Sequence, residues 1–191
     1  GKLHMKKLKM KSLKSILWVV IFIWVIAAVL GGPYINGFLK SFQKPIPLES
    51  VDFAGDIEGL YVTGTIYGIY DYYCEETKDY KLVAREYIID AGDSYYMGMR
   101  AEGTKDMDNA DKLMETSWDY LDYVAEYEEL EAVQYEVTGT ISKIPSDSLV
   151  YYYEYRDWVG TDAETQAMFL PYYLEVNQID GNDKTAIYGM V

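Results

Sequence analysis

Gly59-Leu-Tyr-Val-Thr-Gly-Thr-Ile-Tyr-Gly-Ile-Tyr-Asp-Tyr-Tyr73 is rich in β-branched and aromatic residues, relieved only by small ones such as Gly64 and Gly68. That chemistry favours a strand, and an interior glycine marks a bend or bulge. The stretch reads as one long strand, bent near Gly64 or Gly68. Its centre, Val62-Thr-Gly-Thr-Ile66, recurs unchanged as Val137-Thr-Gly-Thr-Ile141. Two copies 75 residues apart do not make a solenoid. Duplication and convergent strand chemistry both account for the echo, and the second is preferred.

Working outward, residues 82–90 read as a strand, Ala91-Gly-Asp-Ser94 as a turn, and 95–101 as a strand paired back on the first. Met107, Ala110, Met114, Trp118, Leu121 and Val124 repeat at three-and-four spacing, which predicts a helix over 106–130. Strands follow at 133–144 and 149–158, separated by a turn at Pro145-Ser-Asp-Ser148. A short helix from Thr161, an extended 171–176 and a last strand at 185–190 complete the chain. The expected class is a β-rich α+β domain of β-β-β-α-β-β order with a C-terminal helix/strand addition. That order, with a long bent first strand, suits an OB-like, partly open barrel. It is equally compatible with an open sheet. The barrel-like form is the expectation taken forward.

The N-terminal third is of another kind. Residues 15–39 carry no charged side chain, six lysines precede them, and all 31 acidic residues follow. A helix over 12–32 would rise roughly 31 Å, about a bilayer's hydrocarbon thickness. The segment therefore reads as a transmembrane helix with its basic end in the cytoplasm. A cleaved signal peptide is the rival reading. The expected organisation is a basic start at 1–11, a transmembrane helix at 12–35, a Pro-containing tether at 36–50 and an acidic extracytoplasmic domain at 51–191. Gly1-Lys-Leu-His-Met5 reads as a cloning remnant, which would leave no native histidine.

After residue 35, eleven basic residues face 31 acidic ones, a net −20. Such a charge argues against nucleic acid and for cations or basic partners. Cys74 is the only cysteine, so no intrachain disulfide forms, and its acidic and aromatic neighbours suit packing rather than nucleophilic attack. Without a native histidine the usual hydrolase triads and histidine zinc sites are absent. Asp106-Met-Asp-Asn-Ala-Asp111 lacks the glycine and terminal glutamate of a calcium loop and reads as a helix start. No cofactor, metal site or catalytic residue is assigned.

The chain has 21 tyrosines. In Tyr151-Tyr-Tyr-Glu-Tyr155, read as a strand, Tyr151, Tyr153 and Tyr155 share one face. Exposed, they would form a surface for a partner or a stacking platform for sugar rings.

In layout, the Lys-rich start, the apolar 16–30 and the acidic, Tyr-rich remainder resemble single-pass membrane proteins of Gram-positive bacteria that carry one small extracytoplasmic domain. The resemblance is one of architecture and transfers no functional residue. It implies a cell-membrane protein with its C-terminal domain outside. The first functional expectation is a membrane-anchored, non-enzymatic interaction domain with an envelope protein partner. A glycan-binding module using exposed tyrosines is the second, and a carboxylate-dependent hydrolase the third.

Overall fold

The computed structural model describes residues 2–30, 44–179 and 182–183, with side-chain surroundings for 13–29 and 44–177. Helix α1 spans Lys2–Leu30. Among the described residues, no helix is long and apolar enough to cross a membrane. The stretch of α1 with described side chains, 13–29, rises roughly 25 Å against a hydrocarbon core of about 30 Å. Lys14 and Ser15 are among its first three residues. This corrects the expected transmembrane helix at 12–35, and with it the single-pass cell-membrane localisation. The remainder of the expected span beyond Leu30, most of the tether and the expected strand at 185–190 lie outside the described residues.

Beyond α1 the chain is an α+β fold. The strands are β1 (Ile46–Pro47), β2 (Tyr61–Ile66), β3 (Ile69–Lys78), β4 (Lys81–Gly92), β5 (Tyr95–Glu102), β6 (Tyr135–Lys143) and β7 (Phe169–Val176). They form one mixed sheet in the order β1-β2-β6-β7-β5-β4-β3. A separate pair, β8 (Gln178–Ile179) and β9 (Asn182–Asp183), follows. β1 is parallel to β2, and β7 lies parallel to β5 and antiparallel to β6. β2 and β3 stand far apart in this order, yet only Tyr67 and Gly68 connect them. The sheet therefore curls until its two sides meet at that bend.

The echoed pentapeptides pair with each other. Val62 lies opposite Gly139, Thr63 opposite Thr138 and Gly64 opposite Val137, a local two-fold arrangement. At its centre the hydroxyls of Thr63 and Thr138 are 2.9 Å apart, a cross-strand pair of the kind that fixes register. The two glycines then serve different neighbours. A Cβ on Gly64 would meet Leu48 Cβ at 2.7 Å, and one on Gly139 would meet Glu175 O at 2.1 Å.

Strand alternation gives the sheet two buried faces. One collects Val62, Ile66, Tyr87, Met97, Met99 and Leu174 against the helices α2 (Thr104–Leu121) and α3 (Tyr127–Val133). Leu48, Val51, Phe53 and Ile57 join this core, so the fold reaches back before residue 51. The other face carries Ile88, Ile144, Phe169 and Tyr173 beneath α4 (Ser146–Val159). A short α5 (Ala163–Ala167) leads into β7.

Three elements differ from expectation. The long strand expected over 59–73 is two, β2 and β3, which lie at different places in the sheet. Residues 149–158 are helical, not the fifth strand of a barrel, and β7 takes that strand's place. The single helix expected over 106–130 is two. At its break Tyr123 adopts φ 59°, and the amides of Val124 and Ala125 both donate to Asp119 O. A capping box between Glu126 and Glu129 then starts α3.

Candidate binding surface

The bend between β2 and β3 is held by side chains from the helices. Gln134 Nε2 donates to Tyr67 O at 3.2 Å, and Trp118 Nε1 donates to Tyr70 O at 2.6 Å. Ile69 N donates to Ser117 Oγ, whose own proton goes to Leu113 O. The backbone there is satisfied by the fold, which leaves the neighbouring side chains to define a surface.

Two hollows meet at that bend. One, of ≈ 190 Å³, lies among Leu48, Glu49, Phe53, Thr65 and Asp93. The other, of ≈ 240 Å³, lies among Ile69, Tyr70, Ser117, Tyr120, Leu121 and Leu130. Tyr67 and Asp90 line both, so the two hollows adjoin at these residues, and together they are called the groove. Tyr67 is 58% exposed and Leu121 58%. Tyr123, Val124 and Tyr127, exposed at the α2–α3 junction, extend the apolar surface. Asp90 stands at the β4 bulge, where its Oδ1 accepts from Gly92 N at 2.9 Å. Burial, then the charge of Asp90, pushes the Tyr70 hydroxyl up to about 12, so it stays protonated as a donor.

Tyr151, Tyr153 and Tyr155 do not share a strand face, because α4 spreads them around its axis. Tyr151 is exposed, at 52%. Tyr153 is half-buried, with the Arg156 guanidinium 4.1 Å over its ring. Tyr155 is half-buried against Phe169 and Trp158. A platform of three aligned rings is therefore not formed. The large apolar side chains that α4 exposes are Val150, Tyr151, Trp158 and Val159. The groove residues Tyr67 and Tyr120 escaped the sequence reading, because their joint exposure depends on a contact between β3 and α2 that is remote in sequence.

Under α4 lies a buried carboxylate. Glu86 is 4% exposed and accepts from Ser148 Oγ at 3.1 Å and Tyr73 Oη at 3.3 Å. Burial raises its pKa, while hydrogen bonds from Cys74, Ser148 and Tyr73 and the charge of Arg100 work the other way. The Cys74 thiol is itself pushed up to about 11, by burial first and then by Glu86. It is a packed thiol, not an activated one.

An acid held above its ordinary pKa binds its proton more tightly in the folded state. The native protein thus gains stability as pH falls from above the raised value to the ordinary carboxylate range. Glu86→Gln keeps an acceptor for Ser148 and Tyr73 and removes the buried charge. Urea unfolding should show Glu86→Gln gaining on the parent protein at pH 8 and losing that advantage by pH 4. A constant difference between the two pH values would refute a native-state penalty for the Glu86 charge.

Glu49, Asp90 and Asp93 give the groove three carboxylates. Among the described residues, no group of three or more His, Cys, Asp or Glu could hold a metal ion.

A family model described as a domain of unknown function (DUF8577) matches residues 5–191. No curated protein and no solved structure matches the chain.

Proposed function

We propose, for a chain that belongs to the DUF8577 family, a domain of unknown function, that it is a non-catalytic interaction domain receiving a partner in the groove at the bend between β2 and β3. One observation carries this reading. Tyr67, Tyr120 and Leu121 are exposed together around a hollow of ≈ 240 Å³ whose backbone is already hydrogen-bonded within the fold. Aromatic side chains that are rigid, amphipathic and solvent-facing are the usual anchors of an interface.

A second reading, recognition of a glycan, is favoured by the same rings. Tyr67 and Tyr120 flank Asp90, and a sugar could stack on the rings while its hydroxyls donate to the carboxylate. On this reading the tyrosine-based glycan site lies at the bend rather than on α4.

A photo-crosslinking amino acid at position 67 or 120 of the full chain, expressed in its own cells, tests the first reading. A discrete protein adduct should form from both positions. None should form from position 80, a fully exposed tyrosine at the β3–β4 turn, outside the groove. Equal adducts from all three positions would remove the groove from consideration.

A further inference from the structure

We infer that the occupant of the groove is a basic peptide segment, with an arginine or lysine side chain lying on the Tyr67 ring beside Asp90. The inference rests on the interaction-domain reading and deepens it. Among the described residues, every charged side chain lining either hollow is acidic: Glu49, Asp90 and Asp93. No lysine or arginine of the described residues lines either one. Beyond residue 35 the chain is acidic overall, so a cation is drawn toward this surface before it reaches the groove.

The fold uses the same chemistry twice for its own cations. The Arg85 guanidinium lies 4.6 Å over the Tyr72 ring while pairing with Glu75 at 2.6 Å and Asp111 at 2.8 Å. The Arg156 guanidinium lies over Tyr153 and pairs with Asp157 at 3.0 Å. In both places an aromatic face and a carboxylate together hold a guanidinium. Tyr67 and Asp90 offer that pair of partners to solvent, with the lining cation to come from another molecule. An exposed aromatic face attracts a cation, and a carboxylate beside it adds a charge-assisted hydrogen bond. A neutral sugar would gain from the ring but has no use for three negative charges.

The test uses the full chain and three fluorescent probes: an Arg-Ala repeat peptide, a Glu-Ala repeat peptide of equal length, and a chito-oligosaccharide. The Arg-Ala peptide should bind, and added salt should weaken it. Tyr67→Ala and the pair Asp90→Asn/Asp93→Asn should each weaken it by about four-fold or more. The charge-matched pair Asp79→Asn/Glu154→Gln, outside the groove, should leave it within about two-fold, since diffuse attraction is screened and weak. All these positions are exposed, so folding is spared, and thermal melts verify that.

Equal weakening by both charge pairs means diffuse attraction and overturns the inference. So does failure of the Arg-Ala peptide to bind. Binding of the oligosaccharide that is lost with Tyr67→Ala but kept with Asp90→Asn/Asp93→Asn overturns the basic occupant while leaving the groove in use. Crosslinks from positions 67 and 120 stand or fall separately, so the two readings can fail independently.

Discussion

Tyr152→Ala should lower the stability of the domain by roughly 3–5 kcal/mol, the range for truncating a buried aromatic. Tyr152 is fully buried between α4 and the outer face of the sheet. Its ring lies 5.3 Å from Tyr73 and 6.1 Å from Phe169, both edge-on, and its hydroxyl donates to Tyr96 O at 3.3 Å. Truncation empties the centre of the smaller core and strands an acceptor. For a chain of this size the melting temperature should fall by roughly 10 °C. Tyr152→Phe loses only the hydrogen bond and should cost about 1 kcal/mol. A loss under about 1 kcal/mol for Tyr152→Ala would mean that α4 contributes little to the cooperative unit.

The second large effect is expected at Gly139. A Cβ there would sit 2.1 Å from Glu175 O and 2.9 Å from its carbonyl carbon, both backbone atoms of β7. No rotamer change relieves that overlap, so β6 and β7 must move apart where Gly139 faces Val176. Gly139→Ala should cost roughly 3 kcal/mol or more, at the upper end of overpacking. Gly64, its counterpart in the echoed pentapeptide, meets a side-chain atom instead, Leu48 Cβ at 2.7 Å. The compensating change Leu48→Ala retains that Cβ, whereas Leu48→Gly removes it. Gly64→Ala should therefore be relieved in part by Leu48→Gly, while no side-chain change should relieve Gly139→Ala. Chemical denaturation of the four variants separates the two cases. Equal costs for both alanines would contradict the asymmetry.

How far the sequence discloses this fold depends on whether the deciding interaction is local. The meander of β3, β4 and β5 is local, and the turn at Asp93-Ser94 has the left-handed backbone that its composition favours. Glycine chemistry offers Gly64 and Gly68 alike as places for a bend, and the structure separates β2 from β3 at the second. The pairing of the two echoed pentapeptides was not derivable from their likeness, because likeness does not say which strands meet. Residues 149–158 show propensity overridden. Tyrosine-rich composition favours a strand, yet Pro145, with Ser146 and Asp147 after it, starts a helix. Ser148, Tyr152 and the half-buried Tyr155 and Arg156 then follow helical spacing. The membrane reading rests on an uncharged stretch, its length and the lysines before it, yet no helix among the described residues is long and apolar enough to cross a membrane. The groove was the least legible feature, since Tyr67, Asp90 and Tyr120 come from three separate elements.

The position of β7 has a consequence for biosynthesis. Among the described residues it is the only strand that joins β1-β2-β6 to β5-β4-β3, and it is the last of the seven in the chain. Without β7 the other six strands fall into two groups, with β5 and β6 each left an unpaired edge. Such edges invite association with other chains. A chain interrupted before Phe169 therefore carries two open-edged strand groups rather than a smaller version of the domain.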